Sequence, residues 1–160
     1  VYVMENTTLY GNTGEVPDPA DGDFLIPLGK ADIKREGSDI SLIAHGASVL
    51  RCLEAADILA NEHNIDAEVV DLRSIRPLDQ DAIIESVKKT NRAVLVDESK
   101  PFCGVSAQIT TLIQEYAFDY LDAPVKRVCT IDAPAIYSPH VEQDQLPNAK
   151  RIVAQVLTIA

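Results

Sequence analysis

The sequence has no tryptophan, and its three cysteines are too few and too far apart for a disulfide framework or a metal site. Cys52, Cys103 and Cys129 contain no CxxC pair, a pattern typical of core or half-buried thiols in a reducing, intracellular compartment. Cys103 has a second interpretation as a reactive thiol, because it precedes Gly104 at a predicted helix start, where a thiolate is favoured.

The common catalytic and cofactor motifs are also missing. The sequence contains no GxGxxG, no Walker lysine loop and no GxSxG, which are the signatures of dinucleotide, nucleotide and serine-hydrolase sites. The three histidines have neither the spacing nor the acidic neighbours of a metal site or a triad: His45, His63 and His140. The residues alone therefore favour an interaction role over catalysis, with no catalytic, cofactor-binding or metal-binding residue.

Basic residues are scarce, since 14 Lys and Arg stand against 25 Asp and Glu, a formal net charge of -11. Such a charge disfavours nucleic acid and anionic membrane surfaces and favours a partner with a basic patch. No apolar run approaches membrane-spanning length. With 160 residues, 46% of them hydrophobic, the composition predicts one soluble domain with a substantial core.

What the sequence does contain is a regular alternation of strand and helix patterns. Apolar runs predict strands at 39–44, 67–72, 92–96 and 125–131, and helical patterns follow at 47–62, 80–90, 104–121 and 147–159. Alternating apolar and charged residues at 29–37 predict an edge strand. Repeated βα units require right-handed crossovers and a parallel sheet covered on both faces. We therefore predict an α/β protein, a three-layer α/β/α sandwich whose sheet is mostly parallel with one antiparallel edge strand.

Helical spacing also predicts which side chains face the core. The predicted faces are Val49, Leu50, Leu53, Ala56 and Ala60 in the first helix, Val105, Ile109, Leu112, Tyr116 and Tyr120 in the third, and Ala149, Ile152, Val153 and Val156 in the last. The Pro-rich segment before the last helix is predicted to be irregular.

The first residues have a different character. Val1–Met4 predict a strand, and a chain seldom begins inside a buried strand, so we expect a fragment of a longer protein. Residues 5–23 are rich in Gly, Pro, Asn and Asp, which predicts an ordered linker. The expected organisation is the end of a preceding domain and its linker at 1–23, and the domain itself at 24–160.

Charge is concentrated on the turn at 71–79, which joins a buried strand to a helix. Arg73, Arg76 and two acids lie there, and Pro77 restricts its own backbone and that of Arg76. Asp79 stands at the predicted N-cap, where its carboxylate can accept backbone N–H groups. The turn is either satisfied within itself or part of an interface or site. We expect at least one arginine to be more than half buried and bonded to a carboxylate or backbone carbonyl.

The carboxyl ends of the predicted strands are the expected place for a ligand in an open α/β sheet. They carry His45, Asp71, Asp97, Glu98 and Asp132. Clustered acids can bind a hard cation, but no DxD or regular ligand spacing supports a metal. The alternative is a set of solvated or salt-bridged acids.

Seven blocks, at 5–11, 26–31, 71–79, 86–91, 104–108, 121–125 and 137–147, resemble a known family in order and along nearly the whole chain. The family is the C-terminal domain of the beta subunit of thiamine-dependent 2-oxo acid dehydrogenases, and the pattern is most similar to pyruvate dehydrogenase. Arg-Ser-Ile-Arg-Pro at 73–77 is shared by transketolase-like C-terminal domains in general. Glu5-Asn6 and Leu121-Asp-Ala-Pro124 narrow the resemblance to the dehydrogenase beta subunit.

The resemblance implies a transketolase C-terminal-domain-like fold within an α2β2 heterotetramer that decarboxylates pyruvate on thiamine diphosphate with Mg and acetylates lipoyl groups. The family's thiamine-binding glutamate, active-site histidine and potassium site belong to a pyrimidine-binding domain that this sequence does not include. The resemblance therefore implies that this chain holds no catalytic residue and does not bind thiamine diphosphate itself. It also implies a place in the bacterial cytoplasm or the mitochondrial matrix.

By the same resemblance, the domain serves assembly with the alpha subunit and a second beta subunit, and docking of the subunit-binding domain of the dihydrolipoyl acyltransferase. Matched residue by residue, the docking positions are Asp122 and Ala160. Arg73, Arg76 and Asp79 are expected to hold the structure or its interfaces.

Two segments depart from the family pattern, Ser99–Gly104 and residues 136–142, and both are expected in interface loops. They leave the 2-oxo acid and the partner specificity open. The alternatives are the C-terminal domain of a branched-chain 2-oxo acid dehydrogenase, of transketolase or of deoxyxylulose-phosphate synthase. A free-standing ligand-binding α/β module and a pure scaffold without an enzyme parent are alternatives of other classes.

Overall fold

The computed structural model describes residues 1–15, 18 and 24–160, and five strands within them form one sheet. The strands are β1 (Asp32–Arg35), β2 (Ile40–Ala44), β3 (Ala67–Asp71), β4 (Ala93–Asp97) and β5 (Lys126–Cys129). Their spatial order is β1-β3-β2-β4-β5, and β1 is antiparallel to β3 while the other pairs are parallel. The predicted mostly parallel sheet with one antiparallel edge strand is confirmed.

Helices cover both faces of the sheet, which confirms the three-layer sandwich. The helices are α1 (Ser48–His63), α2 (Gln80–Thr90), α3 (Val105–Tyr116), α4 (Pro139–Gln145) and α5 (Ala149–Val156). The α1 and α5 helices pack together on one face, and α2 and α3 pack on the other. Among the described residues, no helix is both long enough and apolar enough to cross a membrane.

The core consists of aliphatic side chains in two layers, one on each side of the sheet. Leu42, Leu59 and Ile152 belong to the layer under α1 and α5, and Ile43 and Ile113 belong to the layer under α2 and α3. Every residue of β2 and β4 is buried, as expected for interior strands of a parallel sheet covered on both faces. Each fully buried large aliphatic side chain contributes about 1.5–3 kcal/mol.

The predicted inward face of α1 is right only in part, since Val49 and Ala56 are buried as predicted. Leu50 is 39% exposed, whereas Cys52, Ala55 and Leu59 are fully buried. The buried arc is thus shifted around the helix toward small residues, because small side chains let α1 lie close to the sheet and to α5. In α5 the predicted face is confirmed, since Ile152, Val153 and Val156 are buried.

The third helix is shorter than predicted. The α3 helix ends at Tyr116, because Ala117 leaves helical geometry (φ -135°, ψ 14°), and a separate 3-10 helix follows at Phe118–Tyr120. Tyr116 and Tyr120 were predicted to face the core, but both are exposed. The break at Ala117 ends the 3.6-residue periodicity before Tyr120 is reached. Tyr116 is the last residue of α3, and the buried residue of that turn is Ile113.

Two further predictions about local structure are wrong. The segment before α5 contains a helix, α4, which begins with proline at its first position, a favoured site because that position needs no N–H donor. Residues 1–4 form no strand and are exposed, since no described strand lies beside them to supply hydrogen bonds. In the predicted linker at 5–23, a 3-10 helix occupies Thr7–Leu9, while residues 16, 17 and 19–23 lie outside the described residues.

Candidate functional site

The structure brings together only part of the polar set predicted at the carboxyl ends of the strands. His45 and Asp97 meet, with 3.6 Å between Nε2 and Oδ1. Asp71 accepts a hydrogen bond within its own turn, from the backbone N–H of Arg73 at 3.0 Å. Glu98 and Asp132 are exposed. Over residues 1–15, 18 and 24–160, no group of three or more His, Cys, Asp and Glu side chains could hold a metal ion.

Asp97 holds the junction between β4 and α3. Its Oδ2 accepts hydrogen bonds from the Ser99 hydroxyl at 2.6 Å and from the backbone N–H of Ser106 at 3.0 Å. The second bond caps α3, whose own N-cap residue is Gly104 and has no side chain to do so. A Cβ on Gly104 would lie 2.2 Å from the Ser99 hydroxyl and 2.7 Å from the Lys100 carbonyl. Glycine is therefore required at this close approach.

The surroundings of Asp97 favour its ionised form. Its side chain is 3% exposed, and burial by itself raises the pKa of a carboxyl group. His45, Ser99 and Ser106 outweigh burial and hold the pKa of Asp97 well below its usual range. His45 lies beyond hydrogen-bond distance, so the direct donors are the two serines. Asp97 is thus a buried, hydrogen-bonded anion with a structural position, which sequence reasoning had assigned only to a possible cation site.

Asp79 has the predicted N-cap position. Its Oδ1 accepts a hydrogen bond from the backbone N–H of Ala82 at 3.3 Å, and its Oδ2 accepts one from the backbone N–H of Ala31 at 3.0 Å. The carboxylate is 8% exposed, with Lys30 3.8 Å away. One side chain therefore caps α2 and also binds the segment leading into β1.

The two arginines of the 71–79 turn have different surroundings. The Arg73 side chain is 28% exposed and donates to Asp32 at 2.6 Å, so it ties the turn to the edge strand β1. Lys34 shares Asp32, and its hydrogen bond is the largest of the effects that lower the pKa of that carboxyl. Arg76 is exposed, makes no bond to any described residue, and lines an open cleft of about 750 Å³ beside Gln108 of α3. An interface role for either arginine stays a prediction.

A buried acid that sequence reasoning missed lies in β3. Glu68 is 1% exposed and is paired with Lys89 of α2, which also bonds Glu36 at 2.8 Å. Lys89 lowers the pKa of Glu36, and the two acids raise the pKa of Lys89 despite its partial burial. The available signal was a glutamate inside an otherwise apolar strand, since such a residue is rarely buried without a partner.

The predicted docking positions lie at the surface. Asp122 is 60% exposed, with its Oδ2 3.6 Å from Nη2 of Arg92. Its backbone N–H bonds the carbonyl of Asn91 at 2.9 Å, which places it at the amino-terminal edge of the sheet. Ala160 is exposed, and its N–H bonds the carbonyl of Val156 at 3.0 Å.

The aromatic residues have an unusual distribution. All eight are within the described residues and all are exposed: Tyr2, Tyr10, Phe24, Phe102, Tyr116, Phe118, Tyr120 and Tyr137. Tyr120, Phe118 and Tyr116 lie two, four and six residues before Asp122 in the sequence. Large aromatic side chains are normally well buried, so this distribution is a property of the surface that composition alone did not reveal.

The cysteines divide as their burial dictates. Cys52 and Cys129 are buried, and burial raises the pKa of the Cys52 thiol above its usual range. Cys103 was predicted to be core or half-buried, but it is exposed, because it occupies a loop position with a φ of 59° just before α3.

Comparison with known proteins places these features in a family context. The family model described as the C-terminal domain of transketolase matches residues 29–152. A solved structure, a split-gene transketolase described as an inactive beta4 tetramer, superposes with a TM-score of 0.77 at 26% identity. That match covers 91% of this chain and 46% of the other.

Curated relatives match over nearly the whole chain. One is the acetoin:2,6-dichlorophenolindophenol oxidoreductase subunit beta of Bacillus subtilis, 45% identical over 99% of this chain and 45% of that protein. Another is the mitochondrial pyruvate dehydrogenase E1 component subunit beta of Dictyostelium discoideum, 42% identical over 96% of this chain and 43% of that protein. The chain thus spans about half the length of the curated relatives it matches.

Proposed function

This chain belongs to the family of transketolase C-terminal domains, and from that premise we propose that it is the assembly domain of a pyruvate dehydrogenase beta subunit. The complete protein would decarboxylate pyruvate on thiamine diphosphate and acetylate lipoyl groups. Residues 1–23 would be the end of the preceding domain with its linker, and residues 24–160 the family domain. The family match over 29–152 and the likeness to pyruvate dehydrogenase beta subunits support this proposal.

One observation carries the assembly role, namely that the core is aliphatic while every aromatic side chain is exposed. Aromatic residues are enriched at the buried centres of protein interfaces, where they supply large apolar area. Tyr116 and Phe118 are each 61% exposed and Phe102 is 82% exposed. Their exposure is explained if they are covered by other subunits, the alpha subunit and a second beta subunit of an α2β2 heterotetramer.

The residues described here do not fit a magnesium–diphosphate group, so we derive no catalytic step through one. A Mg²⁺ ion bound through phosphates needs available carboxylates. At the carboxyl ends of the strands, Asp97 is engaged by Ser99 and Ser106, and Asp71 by its own turn. The exposed acids Glu98 and Asp132 belong to no described group of side chains that could hold a metal ion. We propose that thiamine diphosphate and its Mg are held by the rest of the longer protein, and that the contribution of this domain is structural.

Docking of an acyltransferase subunit-binding domain at Asp122 and Ala160 has geometric support. The α5 helix begins beside the carboxyl end of β5, where Arg151 donates to the Cys129 carbonyl at 2.7 Å. Eight residues of helix span about 12 Å, close to the length of a four-residue strand, so Ala160 lies toward the amino-terminal edge. Asp122 lies at that same edge, and a net charge of -11 favours a basic partner there.

A second candidate function is the beta subunit of an acetoin-oxidising enzyme. The observation in its favour is the Bacillus subtilis relative, which is 45% identical over nearly the whole chain. The assembly role of the domain is the same in both cases, and the substrate would be read by other parts of the protein. We propose the mitochondrial matrix or the bacterial cytoplasm as its location, consistent with one mitochondrial and one bacterial relative.

Sedimentation of the 160-residue chain tests the assembly role. We expect concentration-dependent self-association, weakened by roughly a thousandfold in Tyr116→Ser/Phe118→Ser, because hot-spot aromatic residues each contribute on the order of 2 kcal/mol and each 1.4 kcal/mol is a factor of about ten. Leu50→Ser is the matched control, since Leu50 is an exposed apolar residue on the opposite face. A chain that stays monomeric, or an equal effect of Leu50→Ser, contradicts the proposal.

Calorimetry with thiamine diphosphate and Mg²⁺ tests the proposal that the cofactor is held by the rest of the longer protein and not by this domain. We expect no binding to this chain in the micromolar range, because no group of three or more acidic, histidine or cysteine side chains among the described residues could hold the Mg²⁺ ion. Saturable micromolar binding would show that the domain carries a cofactor site of its own and would contradict a purely structural contribution.

A further inference from the structure

The positive charges of this acidic chain are unevenly paired. All 14 Lys and Arg residues are among the described residues, and eight of them have a carboxylate within 4.0 Å. The other six have no described carboxylate partner: Arg76, Lys100, Lys126, Arg127, Lys150 and Arg151. Five of these six lie in β5, at the start of α5 or in the loop after β4. Among the described residues, one group of cations therefore has no carboxylate within 4.0 Å.

The bonds that these cations do make are to neutral groups. Arg151 donates to the carbonyls of Gln145, Leu146 and Cys129 at 2.7–3.1 Å. Arg127 donates to the Pro101 carbonyl at 2.9 Å. A carbonyl accepts a hydrogen bond but does not neutralise the charge, so each of these arginines keeps its full positive charge for an anionic ligand.

Much of the donor capacity of the group is unused. A guanidinium has five N–H donors, of which Arg127 uses one and Arg151 uses three with described residues. Lys126 makes no bond to any described residue. Lys100, in contrast, is held by the carbonyls of Ile131 and Ala133. The bonds of Arg127 and Arg151 hold their side chains in place and leave N–H groups for a ligand.

A cleft of about 480 Å³ lies among these side chains. Lys126, Arg127 and Arg151 line it together with Thr130 and Gln155, and it extends to the carboxyl end of β5. Its volume is within the range of small-molecule sites, and ligands of open α/β sheets bind at carboxyl strand ends. One acid, Asp132, also lines the cleft and makes no bond to any described residue.

We propose that this cleft binds the phosphate group of a small phosphorylated molecule through Lys126, Arg127 and Arg151. Arginine forks match the oxygens of a phosphate in pairs, and a lysine adds a point charge. The Thr130 hydroxyl donates to the Glu98 carbonyl and the Gln155 amide donates to Thr158, so these two side chains offer the neutral part of the ligand their oxygen atoms as acceptors. The site is separate from the assembly role, so either proposal can fail without the other.

Titration of the 160-residue chain with inorganic phosphate and with glycerol phosphate, at constant ionic strength, tests the site by calorimetry. We expect saturable binding of both, weakened about tenfold by Arg127→Gln, because a charge-assisted hydrogen bond contributes about 1.5–3 kcal/mol. Lys150→Gln is the matched control. It also removes one positive charge, but Lys150 is in α5 and lies outside the cleft lining. The phosphate affinity of Lys150→Gln should stay within about twofold of that of the original chain, because salt screens charges outside the cleft.

A variant that binds phosphate more tightly is also needed, because a loss of binding could result from misfolding whereas a gain could not. Asp132→Asn removes the one carboxylate lining the cleft and should tighten phosphate binding by about three- to tenfold, because a like charge near the anion is removed. Three results overturn the proposal: no saturation at concentrations on the order of 10 mM, equal weakening by Lys150→Gln and Arg127→Gln, or binding of a polyglutamate peptide in place of phosphate. The last result would assign the cleft to an acidic protein segment.

Discussion

The carboxylate of Asp97, at the end of β4, accepts a hydrogen bond at 3.0 Å from the backbone N–H of Ser106, nine residues further along the chain. This bond joins the strand to the first turn of α3, where the N-cap glycine offers no side chain. One ionised group therefore caps the helix and fixes the end of the strand. Protonation of this group should lower the free energy of unfolding.

We predict that Asp97 makes the chain sensitive to acid. Its pKa is lowered in the folded state, whereas an unfolded Asp has a pKa of about 3.9. A lowered folded pKa contributes stability above the unfolded value, and this contribution is lost as pH falls through the folded value. Asp97→Asn should unfold about 2 kcal/mol more easily near neutral pH, and its stability should fall less steeply below about pH 4.

Urea unfolding across pH checks this prediction, with Glu98→Gln as control because Glu98 is the adjacent exposed acid. The same acid slope for Asp97→Asn and the original chain would show that Asp97 is not the responsible group.

We predict that Lys89→Ala destabilises the fold by roughly 2–3 kcal/mol, because it leaves the Glu68 carboxylate buried without its cation. The double variant Lys89→Met/Glu68→Leu should recover most of that loss, since it removes the charge that needs a partner. Differential scanning calorimetry measures both.

Lys88→Ala serves as the neighbour control for this pair. Lys88 pairs with Glu85 at 2.9 Å on the exposed face of the same helix and lies 5.4 Å from the centre of the Tyr120 ring. Together these exposed contacts contribute only about 1 kcal/mol. If Lys89→Ala costs no more than Lys88→Ala, Glu68 is reached by water and the pair is unimportant.

We predict that Asp79→Ala costs about 2 kcal/mol, at the upper end of N-cap losses. The reason is that Asp79 binds two backbone N–H groups, of Ala82 and of Ala31, on different elements. Asp81→Ala, in the first turn of the same helix, should cost about 0.5 kcal/mol through the helix dipole alone. Equal losses in urea unfolding would mean that only the charge matters, not the cap.

We predict that Asp122→Asn weakens binding of an acyltransferase subunit-binding domain and lowers the salt dependence of that binding. An exposed carboxylate mainly accelerates association with a basic partner, and salt screens the effect. Asp119→Asn, three residues earlier and also exposed, is the control. Unchanged affinity and salt slope in Asp122→Asn would show that the position is an ordinary turn residue.

A substitution of Arg92 provides a second, independent test of docking at Asp122. The Arg92 guanidinium lies 3.6 Å from Asp122 and would compete with cations of the partner. Arg92→Gln should therefore strengthen docking, provided that the variant folds normally, because Arg92 also has a buried Nε without a described hydrogen-bond partner. Weaker docking in a folded Arg92→Gln chain would contradict the proposed contact.

The parts of the structure that sequence could predict are those with local signals. The strands and helices follow from runs and periods of a few residues, and the Asp79 cap follows from an acid placed just before a helical pattern. The edge position of β1 was predictable because charged and apolar residues alternate there, although this alternation carries no signal for the direction of the strand. The repeated alternation of strand and helix then gave the three-layer architecture, and resemblance to the family added the likeness to transketolase C-terminal domains.

Pairs that are distant in sequence were not predictable. Glu68 and Lys89 are 21 residues apart, and Arg73 and Asp32 are 41 apart, so no local pattern connects them. The end of α3 was missed for a different reason. Ala117 is a good helix former, and the break there is imposed by the packing of the following segment rather than by its own propensity.

The surface position of every tyrosine and phenylalanine determines which optical signals can follow this molecule. Near-ultraviolet circular dichroism arises from aromatic side chains held in a fixed environment, and the interior of this domain contains none. Tyrosine emission, unmasked by any tryptophan, should accordingly change little when the isolated domain melts and should change strongly when the aromatic surface is covered. In this protein tyrosine fluorescence therefore reports association, and unfolding has to be followed by a backbone signal such as far-ultraviolet circular dichroism.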